Sequence, residues 1–522
     1  MAAGEVQGAQ RTISDICNAG AADAVAIAAP ERSAMTYGKL RELAGHTVSA
    51  LNALGIGRGD RVAMVLPNSP ETLAAFLTIG AGASTAPLNP AYRQEEHAYY
   101  LSDLQAKALV VRSDGGEEAK LARAAAETHG IPVLDLVPDT DGPAGSFCLK
   151  GGTPGEAATP GFAREGDEAL VLHTSGTTSR PKIVPLLQRN VWTSARNIRE
   201  VLQLSADDIC LSIMPLFHIH GLIAASLAPL SAGGQAYVPG PFNALSMLRW
   251  LQESGATWYT GVPTMHQSLL DRALKRPDAA KGLGLRFIRS SSASLPSQTM
   301  KQLEETFGCP VIESYGMTEA AHQMTSNPLP PKPRKAGSVG IAAGPQVAIA
   351  DEAGTFVPQG EAGEVCIKGD NVTPGYENNP DANAKAFFQG WFRTGDQGIL
   401  DPEGYLTITG RLKELINRGG EKVSPVEVDE ALMDHPDVAQ AVAFALPHKK
   451  LGETVAAAVR LHEGAGLDEK TLKGFVAERL ADFKVPQRIV FLEEIPKGPT
   501  GKMQRIGMAE KLGLVETQGA AK

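Results

Sequence analysis

Through its first four hundred residues the chain alternates short apolar runs with longer amphipathic ones. RVAMVLP at 61–67 reads as a strand, and SPETLAAFLTIGAGA after it reads as a helix. AKALVVR, IPVLDLV, ATWYTGVP, LRFIRSSSA and PVIESYGMTE repeat the strand signal, with helical stretches such as MHQSLLDRALK between them. Strands alternating with helices predict α/β units around largely parallel sheets, with functional loops at the carboxyl ends of the strands. At 522 residues the chain is too long for one core, so at least two domains are expected.

The texture changes along the chain. Residues 138–168 are rich in Gly, Pro, Asp and Glu and lack periodicity, which predicts a surface excursion. NPLPPKPRKAG at 327–337 reads as a Pro-rich crossing between subdomains, its charges solvated. From about residue 340, VAIADEAGTF, GEVCIKG and YLTITGRLKELI look like shorter strands joined by Gly turns, a β-rich subdomain. After GRLKELINRGG a fresh α/β pattern runs to the end as a domain of about 110 residues.

Composition narrows the function classes. Acidic residues outnumber Lys and Arg by 58 to 49, and aromatics are 5%, which argues against a nucleic-acid surface or base-stacking platforms. The five cysteines, Cys17, Cys148, Cys210, Cys309 and Cys366, are spread out with no CxxC pair, the pattern of reduced thiols. MAAGEVQGAQ lacks the basic and apolar regions of a secretory signal, and TQGAAK is not a peroxisomal tripeptide. GLIAASLAPLSAGG is too short and broken to span a bilayer, so no membrane and a cytoplasmic location are expected.

Five stretches carry chemistry. TSGTTSRPKIVPL, 174–186, comes after the apolar run 169–172. A Gly- and hydroxyl-rich loop leaving a strand can offer backbone N–H groups to phosphate. It is not a Walker A loop, and taken alone it reads as an ordinary loop. In PLFHIHG, His218 and His220 share a face only if the backbone is extended. Otherwise they are two interior histidines. In ESYGMTEA, Tyr315 can stack on a purine, Thr318 can bind phosphate and Glu319 can hold Mg²⁺. The alternative is a strand end with a surface Glu. In GWFRTGDQG and GRLKELINRGGEKVSP, Asp396 on a Gly-flanked loop and Arg411 can take a ribose diol, or else the segment is a hairpin with a capping Asp. In PKGPTGK, Lys502 is either a charge delivered by a mobile loop or a surface lysine.

In order and across essentially the whole chain, TSGTTSRPK, YGMTE, TGD, GRLKE and PKGPTGK resemble the acyl-adenylate-forming superfamily. The resemblance implies a large N-terminal adenylation domain of parallel-sheet α/β subdomains plus a β-rich subdomain, residues 1–411. It also implies a small mobile α+β C-terminal domain, residues 412–522. It implies that a carboxylate attacks the α-phosphate of ATP, pyrophosphate leaves, and a thiol, usually of CoA, displaces AMP. Thr174, Ser175, Gly176, Thr177, Thr178 and Lys182 would line the phosphate cradle. Ser292, Ala293, Ser294, Glu313, Ser314, Tyr315, Gly316, Met317 and Thr318 would surround the nucleotide, with Tyr315 against adenine and Thr318 at the α-phosphate. Asp396 and Arg411 would take the ribose, and Glu319 the Mg²⁺. His218, Thr318, Glu319 and Lys502 are the catalytic candidates, with Lys502 bridging carboxylate and α-phosphate. Lys413 matches the hinge, and Gly419–Gly420 would reach the CoA channel. Two departures stand out: Ser179 replaces a Gly, and β-branched Ile183 comes after the lysine where Gly is common, which predicts a stiffer loop.

The acid pocket of this family is lined partly by the residues after "HI" and after YGMTEA. Here these are His220 and His322, with Ser291, Ser292 and Ser294 close by. Imidazoles and hydroxyls suit a second carboxylate better than an acyl tail. The stretches PLFHIHGL, ATWYTGVPTMHQSLLDR, LRFIRSSSASL and ELINRGGEKVSPVEVD resemble oxalate–CoA ligases. The implied reaction takes oxalate, ATP and CoA to oxalyl-CoA, AMP and diphosphate, in a monomer or weak homodimer with small-molecule partners. A ligase for a malonate-like acid, an adenylating enzyme loading a carrier protein, and a non-catalytic relative are the alternatives. Against malonate the family usually sets an Arg, and the sequence gives none an evident place.

Overall fold

The computed structural model describes residues 11–174, 181–496 and 504–515. Two α/β sheets form the bulk of the chain. In one, strands Val133–Pro138, Ala108–Arg112, Arg61–Val65, Ser84–Pro87 and Glu168–Thr174 lie parallel in that order. Antiparallel strands Phe147–Gly151 and Lys182–Leu187 close its edges. In the other, Val311–Met317, Phe287–Ser290, Trp258–Gly261, Ile209–Leu211, Gln235–Tyr237 and Val25–Ala28 are parallel neighbours. His322–Ser326 turns back antiparallel on Val311–Met317.

These parallel strands are short apolar runs because both of their faces are buried. One core fills the space between the sheets: it joins Val62, Val110 and Leu170 of the first to Ile27, Phe287 and Ile312 of the second. Helix Pro70–Gly80 lies in that core, and every residue after its N1 proline is buried. Its start is written in the sequence: Pro70 opens the helix and the Ser69 side chain accepts from the Thr72 N–H at 3.2 Å.

An antiparallel β-rich sheet comes next, built on Gln346–Ala350, Ala362–Lys368, Trp391–Leu400 and Leu406–Arg411. A smaller C-terminal domain carries its own five-stranded sheet, from Ile416–Arg418 to Arg488–Phe491, with apolar clusters on both faces.

Two expectations change. The stretch 138–168 is not wholly a surface excursion, because Phe147–Gly151 adds an edge strand to Val133–Pro138. An exposed edge strand needs few apolar residues, so it leaves little periodic signal. The crossing at 327–337 is a loop as expected, and Lys332 is exposed, but its other two cations are paired. Arg334 reaches Glu304 at 2.8 Å, and Lys335 reaches Asp401 and Glu403. Among the described residues all five cysteines are free thiols, four of them buried, and no helix is long and apolar enough to cross a membrane.

Candidate active site

Neighbouring parallel strands end side by side, with Gly261 level with Ser290 and Ser290 level with Glu313. The segments beyond these strand ends gather at one place. His220, at the start of the buried π-helix His220–Leu227, and His322, at the start of its strand, are both buried. Their rings stack with centroids 4.8 Å apart and planes 21° from parallel. His220 Nδ1 lies 3.0 Å from the Ser292 hydroxyl, and its Nε2 lies 2.6 Å from the Thr260 hydroxyl. The expected serines divide. Ser292 faces the histidine, whereas the Ser291 hydroxyl donates to the Ser314 carbonyl at 3.0 Å. The Ser294 hydroxyl points to Glu430 of the C-terminal domain at 3.4 Å.

His218 and His220 do not share an extended face. Backbone from Ile219 onward is helical, leaving His220 buried and His218 half-buried, with the His220 N–H donating to His218 Nδ1 at 3.3 Å. A residue that the motifs do not place completes the cluster. Arg289 is wholly buried on strand Phe287–Ser290. One of its terminal nitrogens lies 3.2 Å from His322 Nε2, 3.2 Å from Thr260 Oγ1 and 3.4 Å from His220 Nε2. The other donates to Gln323 Oε1 at 3.1 Å. Motif reading misses Thr260, Arg289 and Gln323. The available signal is an arginine inside a strand buried on both faces.

The second cluster lies beside the first on the hairpin made by Val311–Met317 and His322–Ser326. Gly316 is required there: a Cβ would fall 1.6 Å from the His322 carbonyl oxygen. Tyr315, half-buried, donates its hydroxyl to Asp396. Arg411 Nε donates to the other Asp396 oxygen at 3.0 Å. Asp396 is not on a loop. It is a buried residue of strand Trp391–Leu400, directly across from Arg411. Burial and the Asp396 charge push the Tyr315 phenol up, and Asp396 holds the Arg411 guanidinium above its usual value.

Glu319 sits on the turn Thr318–Ala320, buried, and accepts from the Tyr376 hydroxyl at 2.8 Å. Burial holds its carboxyl above the usual range, while Tyr376, Arg411 and Lys182 pull it down. Among the described residues Glu319 makes no ion pair, and no three His, Cys, Asp or Glu side chains converge as a metal cage. One buried carboxylate suits Mg²⁺, which takes one or two carboxylates and completes its shell with phosphate oxygens and water. Lys182 Nζ lies 4.2 Å over the Tyr376 ring, and burial lowers its pKa. Tyr376 also escapes motif reading; nothing in its local sequence marks it.

Thr174 pairs with Lys182, and His173 with Ile183, across the hairpin that leads into and out of the hydroxyl-rich stretch. Ile183 is therefore a buried strand residue, which accounts for its β-branched side chain. Ser175, Gly176, Thr177, Thr178 and Ser179 lie outside the described residues, as does Lys502. Thr318 and Met317 are half-buried, and Ala293 is exposed. Glu313 is buried: Leu295 N–H donates to one oxygen at 3.0 Å, the other oxygen has no partner among the described residues, and burial raises its carboxyl to about 7. The Ser314 hydroxyl donates to the Ser290 carbonyl at 3.3 Å. Lys413 is exposed in the turn between Leu406–Arg411 and the first C-terminal strand, and Gly419–Gly420 form the next turn, both at positive φ.

Residues 16–377 match the AMP-binding enzyme family, and residues 427–502 match the AMP-binding enzyme C-terminal domain. A probable CoA ligase of Humulus lupulus is 47% identical over 484 residues, 91% of each chain. The oxalate–CoA ligase of Arabidopsis thaliana is 45% identical over 476 residues, 90% of this chain and 92% of the relative. The crystal structure of ATP-bound MatB from Rhodopseudomonas palustris superposes with a TM-score of 0.86 at 30% identity, covering 96% of this chain and 99% of that one.

Proposed function

We propose, from the premise that this chain belongs to the AMP-binding enzyme family and is an AMP-forming acyl-CoA ligase, that its acid is oxalate. The first half-reaction joins one oxalate oxygen to the α-phosphorus of ATP and releases diphosphate. The second joins the CoA sulfur to the oxalyl carbonyl and releases AMP. We assign residues 1–411 to adenylation and 412–522 to the moving domain.

Within that reading the Thr174–Lys182 hairpin frames the diphosphate. Tyr315, Asp396 and Arg411 hold the nucleoside. Asp396, already fixed by two donors, presents acceptor capacity to a diol without reorganising. Glu319 would hold Mg²⁺, which when bound screens the phosphate charge. Lys502 would reach the reacting carboxylate and α-phosphate when its loop is inside, and Lys413 would be the pivot that withdraws it.

The observation that carries the acid assignment is the buried, stacked His220–His322 pair, walled by Ser292, Thr260 and Arg289. A pocket of buried polar groups rejects a partner lacking the matching group by about 10⁴–10⁵, where an apolar pocket separates homologues by only about 10–200. A fatty or aromatic tail would strip these groups of partners. The test is diphosphate release with ATP and Mg²⁺ across oxalate, malonate, sulfoacetate, acetate, octanoate and 4-coumarate, with and without CoA. A CoA-dependent signal strongest with oxalate is expected. A stronger signal with octanoate or 4-coumarate would overturn the pocket reading.

A further inference from the structure

Arg289 is a cation wholly inside the protein, and no carboxylate pairs with it among the described residues. An isolated buried charge is costly, and buried charges are normally paired. None of the partners Arg289 does have is an anion: two imidazoles, a hydroxyl and an amide oxygen. Its Nε has no partner at all among the described residues. Burial lowers the guanidinium to about 9, so it stays charged at neutral pH.

The donor count fixes one imidazole. A guanidinium has only N–H donors and cannot accept. The nitrogen 3.2 Å from both His322 Nε2 and Thr260 Oγ1 has two hydrogens, one for each. Thr260 then has its own hydrogen free for His220 Nε2 at 2.6 Å. His322 Nε2 is therefore an acceptor, and that ring, when neutral, carries its proton on Nδ1. A proton on His322 Nε2 would set it against the hydrogen it now accepts.

We propose that Arg289 is the specificity-determining residue for the acid: it supplies, through His220 and His322, the positive charge that makes the pocket prefer a substrate bearing a second negative group. The proposal rests on the pocket being the acid site, as argued above. Arg289 acts as a positioning residue. It holds His322 Nε2 as an acceptor and places an unneutralised charge one ring behind the stacked pair. Oxalate, or any short acid with a second anionic group, supplies the missing counter-charge. A monoanion of the same shape does not.

The test compares oxalate with oxamate, its isosteric half-amide, as competing substrates or inhibitors of the full-length enzyme. Wild type, Arg289→Met and Arg289→Lys are assayed with a saturating ATP control. The oxalate-to-oxamate preference should fall by about 10²-fold or more in Arg289→Met and recover in part in Arg289→Lys, with ATP KM little changed. The loss should appear in acid KM rather than in kcat. An unchanged preference in a folded Arg289→Met overturns the proposal while leaving oxalate as the acid. If wild type instead prefers sulfoacetate or malonate, oxalate falls but Arg289 is tested in the same way with that acid and its half-amide or neutral analogue. Should Arg289→Met not fold, ¹⁵N-histidine NMR of wild type decides. A neutral Nδ1–H ring at His322, assigned by the His322→Asn variant, supports the proposal, and an imidazolium or Nε2–H ring there overturns it.

Discussion

Gly316→Ala adds one methyl group at the point where the two clusters meet. Its Cβ would sit 1.6 Å from the His322 carbonyl oxygen, 2.5 Å from the carbonyl carbon and 3.3 Å from the Gln323 Cα. These are backbone atoms, so no rotamer change relieves the contact. Reaching even 3.0 Å requires the facing strand to recede by about 1.4 Å, the difference between that limit and 1.6 Å. His322 heads that strand and lies 3.2 Å from Arg289. A shift of that size carries the pair beyond hydrogen-bond range. Overpacking of this kind destabilises by about 1–3 kcal/mol. A lost hydrogen bond to a charged group is worth about 1.5–3 kcal/mol. The acid kcat/KM should therefore fall roughly 10- to 150-fold. The assay is diphosphate release over an oxalate series at saturating ATP, beside thermal melting. Gly45→Ala is the internal control. It adds the same methyl inside helix Tyr37–Ala53, where nothing lies within 4 Å, and should stabilise by about 0.5–1 kcal/mol. A Gly316→Ala enzyme with wild-type melting and wild-type oxalate KM would refute the claim that this hairpin fixes His322.

Three further expectations rest on individual contacts. Tyr376→Phe keeps the ring beneath Lys182 but removes the donor to Glu319. With Glu319 in the proposed Mg²⁺-holding role it acts as a carboxylate, so activity should be lost as pH falls through its folded pKa; removing a group that favours the charged form should move this acid limb of the kcat/KM profile to higher pH, and a limb that stays put or moves down would count against it. Burial raises the Glu313 carboxyl to about 7 from 4.5, so the folded state binds more protons than the unfolded one between these values and stability should decline as pH rises from about 4.5 to 7. Glu313→Gln should flatten that decline, by up to about 3 kcal/mol, measured by denaturant unfolding at pH 5 and pH 8. Lys413→Pro, in the turn between the β-rich sheet and the C-terminal domain, should slow thioester formation far more than adenylation in single-turnover assays; equal loss of both would point to misfolding.

The parallel sheets are legible because strands covered on both faces must be short apolar runs. VAMV at 62–65 and ALVV at 108–111 can be little else between turn signals. The strand holding Asp396 reads as a loop because Gly395 and Gly398 punctuate it. Its burial alternates residue by residue from Trp391, but the buried positions are Phe392, Thr394, Asp396 and Gly398, so no apolar alternation shows in the sequence. Hairpin chemistry masks ladder chemistry there. The π-helix at His220 is not legible, since an i, i+2 pair carries no mark of helix type. Arg289 illustrates a different limit. It stands three residues from Arg286, which pairs with Asp208 at 2.5 Å, and nothing local separates the two. Their roles differ only through partners 29 to 83 residues away, Thr260 and His220 for one and Asp208 and Gln203 for the other, that the fold brings together.

Backbone strain shows where the fold spends stability around the paired histidines. Eight non-glycine residues have positive φ among the described residues, and three of them surround the paired histidines: Ser292 at 74°, Ala321 at 47° and His322 at 98°. Such conformations cost about 1–3 kcal/mol each and persist only where the surroundings over-determine them. Here the surroundings are strand ends. Ser290 and Glu313 are level in adjacent parallel strands, so the chain beyond each must turn within a few residues. Val311–Met317 must also reverse at once to pair Met317 with His322. A relaxed turn would carry Ser292 away from His220, or His322 away from Arg289. Ser292→Gly would relieve the strain and lose the hydroxyl, so it should raise stability while weakening acid binding.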